Sequence, residues 1–313
     1  MAQQRNIPFS VANRLYYDLP ERISDSGSML KAAKRPAPAG WSDGWIGLYR
    51  RLRPIGETLP EQGWKIHISA GIDDASKIVA IVWDYCLQHQ ISFKFLRSRD
   101  ALLQNNSKYW PRHASGKFCT LYPEQKSLRN HIEALDARLS KYNAPYILSD
   151  IRYADGPIFL RYGAFVNLTC TSSYGEQIPA IRNPAGKLVP DFRRPSVEIP
   201  EFVEIPEFLA AFLDQSPALD ELPFIIDQTL HISNGGGVYK GRLREDDRPI
   251  VVREARPLAG LDSNCRDAVH RLVNEKTALE RLSGSRAFPN YSVITRSGST
   301  NILPRSSSMA ERC

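Results

Sequence analysis

Trp64-Lys65-Ile66-His67-Ile68-Ser69 alternates apolar and polar side chains, and its reading decides the fold of the chain around it. At period two, successive side chains point to opposite faces of a strand. Trp64, Ile66 and Ile68 therefore line one face, and Lys65, His67 and Ser69 the other. The pattern predicts a half-buried β-strand. A solvent-facing polar edge is enough to explain a lysine and a histidine two residues apart, so the pair gains meaning only from its surroundings.

Downstream, Asp73 and Asp74 are N-cap candidates for a helix that carries Ile78, Ile81, Val82 and Tyr85 on one stripe to about Gln90. ISFKFL (91–96) and GKFCTLY (116–122) read as strands rich in β-formers. Pro123 then opens a second helix with the stripe Leu128, Ile132, Leu135, Leu139 and Tyr142. Two further strands are expected over 146–151 and 157–162. The order β-α-β-β-α-β-β predicts an α+β domain of mixed sheet and helices. Before it, residues 1–60 mix Tyr16, Tyr17, Trp41, Trp45 and Tyr49 with prolines and show no long period, so they read as short elements and loops.

From 172 to 223 the composition shifts to eight prolines and a near-tandem EIPEFV-EIPEFL. Proline removes a donor from any ladder or helix interior, so this stretch reads as a surface linker with one short helix near 207–214. Beyond it, three short strands over 229–234, 238–243 and 250–254 surround Gly235-Gly236-Gly237. A helix over about 264–282 follows, with Ala268, Leu272, Glu275 and Leu279 near one face. The expected division is a domain over 1–171, a linker over 172–222, a second partial domain over 223–283, and an unstructured or disrupted tail over 284–313.

With 313 residues, 42% of them hydrophobic, two moderate cores are the natural expectation. No apolar run approaches the roughly 20 residues that span a bilayer, and the N-terminus lacks a signal pattern, so the reading is cytoplasmic with no membrane partner. The five cysteines stand singly, without metal-ligand spacing, and read as reduced structural thiols with no metal. A net charge of +7 suits nucleic acid, an anionic surface or a phosphorylated substrate. Interleaving of the basic residues with acids argues against nucleic acid and for a local anion pocket.

Lys94, Arg112, Arg152 and Arg161 each lie in or beside a β-rich segment flanked by aromatics, where a buried cation needs a partner. No equal set of acids accompanies them. A convergent set of unpaired cations is what a phosphate dianion requires, since guanidinium forks grip its oxygens two at a time.

In this order, WKIHISA, FKFLRS, the segment Arg112 to Pro123 and LSDIRYADGPIFLRYGAF resemble the N-terminal phosphoserine/phosphothreonine lyase domain of class III lanthionine synthetases. The lysine-x-histidine strand is also similar to that of bacterial effector phosphothreonine lyases. The resemblance runs from about Tyr16 to Leu282. It implies a phosphothreonine-lyase-like domain that β-eliminates phosphate from a phosphorylated precursor peptide, giving dehydroalanine or dehydrobutyrine without a cofactor. It further implies Lys65 as the base that removes the α-proton and His67 as the acid for the leaving phosphate. Lys94, Arg112, Arg152 and Arg161 match phosphate-gripping positions, and Tyr122 a supporting tyrosine. Other readings of the same residues are a non-catalytic binder of a precursor's leader and an effector-like lyase acting on a protein.

HISNGGGVYKGRL, PIVVREARPLAGLD and DAVHRLVNEKTALERL resemble the start of the protein-kinase N-lobe in the same synthetases. On that resemblance Gly235, Gly236, Gly237, Arg253 and Glu275 are nucleotide-binding candidates, and the complete kinase domain of the family uses ATP and magnesium. A tight hairpin is the alternative for a glycine run, and the spacing departs from G-x-G-x-x-G. Arg253 stands where the family has lysine, and no H-R-D or D-F-G segment follows, so the segment is expected to be inactive as a kinase by itself.

Overall fold

The computed structural model describes residues 27–213, 222–282, 295–297 and 300–306, the last two segments as backbone alone. Tyr16, Tyr17, Cys313 and the remaining expectations for 1–26, 214–221, 283–294, 298–299 and 307–313 lie outside the described residues. The chain divides into two compact units, one built from 27–105 with 111–213 and the other from 106–110 with the residues after 221. No helix among the described residues is long and apolar enough to cross a membrane.

The first unit is α+β, as its alternation of periods predicts. It comprises α1 (Lys31–Lys34), β1 (Trp41–Ile46), β2 (Tyr49–Pro54), β3 (Gln62–Ile68), α2 (Ala75–Gln88), β4 (Ser92–Leu96), α3 (Arg99–Asn105), β5 (Cys119–Tyr122), α4 (Leu128–Leu139), β6 (Ile151–Arg152), β7 (Ile158–Ala164), β8 (Thr169–Thr171), β9 (Gln177–Arg182), β10 (Leu188–Pro190) and α5 (Glu207–Ala210). Seven strands form one antiparallel sheet in the order β1-β2-β4-β5-β3-β7-β6, and β10-β9-β8 form a second, small one. β3 lies inside the large sheet, paired to β5 through Ile66↔Leu121 and to β7 through Lys65↔Arg161.

The apolar face of that sheet is the core. Trp83 of α2 stands edge-on to Phe93 and Phe95 of β4, with ring centroids 5.9 and 6.1 Å apart. Ile66, Leu121 and Leu160 are fully buried, as are the α4 residues Ile132, Leu135 and Leu139. Each such side chain contributes about 1.5–3 kcal/mol relative to exposure.

Several expectations need correction. β3 is buried on both faces rather than half-buried, because segments far along the chain cover its polar side. Among the short elements expected before 60, the structure has a hairpin, β1–β2, whose alternation is interrupted by arginines and a glycine. α4 begins at Leu128 after a 3-10 turn over Gln125–Ser127, and of the strand expected over 146–151 only Ile151 lies in a strand, the short β6 that it forms with Arg152. Asp74 sits at the N-cap of α2, yet its carboxylate takes Lys77 at 3.0 Å instead of capping. The residues read as a linker carry β9 and β10 within the first unit; the prolines are tolerated because these strands are short and lie in a small sheet. The short helix expected near 207–214 is present as α5.

The second unit contains β11 (Phe224–Ser233), β12 (Gly236–Leu243), β13 (Pro249–Ala255), α6 (Ala268–Arg281), β14 (Thr295–Ser297) and β15 (Thr300–Ser306), with the sheet order β11-β12-β13-β15-β14. Leu222, Phe224, Ile250 and Val252 form its sheet core, and Ala268 and Leu272 of α6 pack on Ala255. Asp267 caps α6, accepting from the His270 N–H at 2.8 Å. β15 pairs along β13, so this part of the tail read as unstructured is extended and hydrogen-bonded.

Candidate active site

Antiparallel pairing turns the polar side of β3 into a row of charge across the sheet. Lys65 lies opposite Arg161 of β7, while His67 lies opposite Thr120 of β5, which in turn faces Lys94 of β4 and, beyond it, Arg51 of β2. Gly163 leaves room at the centre. A Cβ built there would stand 3.1 Å from an Arg161 nitrogen, 3.4 Å from Lys65 Cε and 3.4 Å from an Asp191 carboxylate oxygen. Those three side chains converge on one point.

Lys65 is only 8% exposed, and its Nζ donates to the Ala164 carbonyl at 2.9 Å. Burial, joined by the charges of Arg161, Lys94 and Arg193, holds its ammonium well below the usual lysine range, against the pull of Asp191. Lys94 stands with its Nζ 4.7 Å above the Tyr49 ring and is pushed down to about 8 by burial and by Arg193 and Lys117. Burial likewise pushes the Tyr122 phenol up to about 12.

His67 is held through Nδ1, which lies 2.5 Å from Asp150 Oδ2. Asp150 is wholly buried and also receives Lys117 Nζ at 3.1 Å and the Ser149 hydroxyl at 2.6 Å. Burial alone raises this carboxyl, but Lys117 and His67 outweigh it and keep Asp150 ionised far below the usual range. Burial also pushes His67 down to about 3, with Asp150 opposing and Lys117 adding to the fall. The imidazole is therefore neutral in the free site at neutral pH, with Nδ1 oriented by a carboxylate.

Arg161 is not the unpaired cation expected of it. Its guanidinium meets Asp191 at 2.5 and 3.4 Å, because the end of β10 returns to this face with the Asp191 N–H bonded to Pro179 O. Arg152 shares a row with His67 through Phe159, yet it turns back to its own loop, donating to the carbonyls of Asp155 and Gly156. Arg112 Nε is buried with no hydrogen-bond partner among the described residues. Its neighbour His113 is lowered by burial and by Lys117, Arg193 and Arg161.

Sequence reasoning missed Lys117, Asp150, Asp191 and Arg193. Lys117 and Asp150 stand inside the GKF and LSD stretches that carry the resemblance, which was the available signal. Asp191 and Arg193 sit in DFRR, where the prolines suggested a linker.

In the second unit, Ser233 pairs with Gly236, so Asn234 and Gly235 form a two-residue hairpin connection. Gly236 adopts φ +135, and a Cβ there would meet Glu254 O at 2.2 Å. The Asn234 N–H donates to Lys108 O and its side-chain amide to Ser107 O, while Arg256 donates to Asn234 O. Gly235, Gly236 and Gly237 are thus a packed hairpin. Arg253 of β13 meets Glu275 of α6 at 3.3 Å, a strand-to-helix ion pair.

Residues 29–218 match the family model of the RamC N-terminal domain. The chain belongs to that family. It is 42% identical over 285 residues to a probable SapB synthase of Streptomyces coelicolor, a match over 89% of this chain and 31% of the relative. The chain therefore spans about a third of the length of that relative. Two solved structures are also similar. One is the type III effector/phosphothreonine lyase OspF of Shigella flexneri, at a TM-score of 0.33 and 16% identity, covering 52% of this chain and 90% of that one. The other is a phosphothreonine lyase, at 0.31 and 16%, covering 53% and 88%. Likeness at this level does not bear on chemistry.

Proposed function

We propose that the first unit is a phosphoserine/phosphothreonine lyase acting on a phosphorylated precursor peptide in the cytoplasm, as part of a class III lanthionine synthetase. The observation that carries this reading is the buried polar side of β3. Lys65 and His67 stand there among Arg161, Lys94, Lys117 and Arg193, with lysine pKa values lowered and the histidine oriented by Asp150. Family membership and the synthase relative agree with it.

The base takes the α-proton, the Cα–H electron pair becomes the Cα=Cβ bond, the Cβ–O bond breaks, and phosphate leaves with a proton from His67. Atoms and electrons balance without a redox partner. An α-proton beside an amide is a weak acid, so the base must be a neutral amine, and the surrounding cations stabilise the enolate that develops. The same cations hold the phosphate. His67 must be protonated to act, and a phosphate dianion beside Nε2 raises its pKa, so binding takes up a proton.

Lys65 is the base on the resemblance. A second reading is favoured by one observation: Lys94, at about 8, is poised near neutral pH, while Lys65 Nζ is engaged by the Ala164 carbonyl. Exchange by alanine separates them, because only loss of the base leaves phosphopeptide binding intact while stopping turnover. The second unit is read as a kinase N-lobe that does not phosphorylate alone; ATP and magnesium belong to the complete kinase of the family.

The test is incubation of the purified chain with a synthetic phosphoserine peptide, without ATP. Mass spectrometry is expected to show the peptide lighter by phosphoric acid. A peptide recovered intact after prolonged incubation overturns the reading and leaves a leader-binding role.

A further inference from the structure

Beyond the four cations expected from the strands, the pocket has a wall supplied from the proline-rich stretch. β10 ends at Pro190, and the next three residues are Asp191, Phe192 and Arg193. Asp191 is fixed at both ends, its N–H on Pro179 O and its carboxylate on Arg161. Phe192 adds its carbonyl, 3.3 Å from the same Arg161 nitrogen. Arg193 Nε then lies 3.9 Å from Asp191 Oδ2, the oxygen nearest the gap left by Gly163.

This places the two guanidinium groups on one carboxylate, beside Lys65. The charges are unequal: the two arginines share a single acid, and the 3.9 Å separation leaves Arg193 without a close fork-to-fork pair to Asp191. Its side chain is half exposed, at 49%, so its face is open to a ligand. Arg194, by contrast, pairs with Glu198 at 3.1 Å and is 63% exposed. The field of Arg193 also reaches the interior of the site, lowering Lys65, Lys94, Lys117 and His113.

We infer that Arg193 is a phosphate-binding residue of this site, contacting the phosphoryl oxygens of a phosphorylated peptide and of the inorganic phosphate it releases. The inference rests on the lyase reading for its substrate class. It also explains why the first unit continues past the large sheet. The return of the chain after β10 supplies both the acid that holds Arg161 and the second arginine. Because a half-exposed arginine carries little of the fold, its removal tests binding rather than folding.

The experiment uses the full chain, the Arg193→Ala and Arg193→Gln variants, and Arg194→Ala as a neighbouring charge control. Binding of a phosphoserine peptide and of inorganic phosphate is measured by calorimetry, and elimination is followed against pH. Loss of a charge-assisted contact predicts binding weaker by about 10- to 100-fold in both Arg193 variants. Arg194→Ala stays within about two-fold, as for a screened surface charge. Removing a cation raises its lysine neighbours, so the acidic limb of the elimination profile moves to higher pH in the Arg193 variants alone. That shift follows from the charge alone, so it is the loss of affinity for phosphate and phosphopeptide that marks Arg193 as a ligand. Wild-type affinity for both ligands in Arg193→Ala and Arg193→Gln at unchanged melting temperature overturns the inference, as does an absence of phosphate and phosphopeptide binding in the unaltered chain. Should the unaltered chain bind the phosphopeptide without eliminating, and lose that binding in the variants, Arg193 stands as a ligand and the lyase reading falls.

Discussion

The two units handle charge differently. In the first, Lys65, His67 and Arg161 on interior strands of a seven-stranded sheet, and Asp150 just before its edge strand, are withdrawn from water, so each must find a partner or shift its pKa. In the second, the ionic contact between Arg253 and Glu275 is partly exposed, at 37% and 24%, and the glycine run offered as a nucleotide-binding candidate lies in a hairpin. Burial turns ordinary residue types into reactive ones. Where water still reaches the charges, the same residue types are geometric fasteners, and their removal costs little.

That contrast is broken or sharpened first at Lys65. Lys65→Ala is expected to slow elimination about 10²–10⁴-fold while phosphopeptide binding stays near normal, because the amine acts in the transition state. Single-turnover kinetics at saturating enzyme decide it. Near-normal turnover in Lys65→Ala, with collapse in Lys94→Ala, transfers the base to Lys94.

Asp150→Asn strips a buried carboxylate from both Lys117 and His67, and removing one member of a buried network costs about 3–5 kcal/mol. Denaturant melts measure this. The pH dependence carries its own sign. His67 sits at about 3 in the fold and near 6.5 unfolded, and Asp150 is also depressed. Both contributions are present above the unfolded values and are lost as pH falls towards the folded ones. Lys94, at about 8 folded and ~10.4 unfolded, opposes folding at neutral pH and ceases to do so as pH rises towards 10. Stability should therefore fall from about pH 6.5 downward, and a melting temperature flat from pH 7 to 4 contradicts the burial of this pair.

Gly236→Ala probes the other unit. The added methyl meets Glu254 O in a backbone conformation that L residues avoid, so about 1–3 kcal/mol of destabilisation is expected. Elimination should be unaffected when assayed well below the melt. The smallest effect belongs to Arg253→Ala, which breaks a half-open ion pair and should change stability by less than about 1 kcal/mol. A large loss there would mean that this ion pair behaves as a desolvated one.

Much of the architecture was legible because it follows local periodicity. The period-two run at 64–69 and the 3.6-period stripe Leu128, Ile132, Leu135, Leu139 both became the elements they predict. Alternation alone put Lys65 and His67 on one side of their strand, whereas Lys94 and Arg161 joined them in the sequence only through the resemblance, because which strands lie side by side is set by pairing across the sheet. Arg152 was misread because its partners are the carbonyls of its own loop, and nothing in composition distinguishes a cation that turns back from one that points inward.

By itself the sequence determined which side chains each strand presents on each face, because backbone geometry alternates them regardless of what packs above. Tertiary structure decided what those side chains became. Asp150, Asp191 and Arg193 reach β3 from 83 to more than 120 residues away along the chain, and no local period encodes such a return. Only the closed fold removes water from Lys65 and His67, and it is that loss of hydration, with opposite and like charges a few ångströms away, that moves their protons.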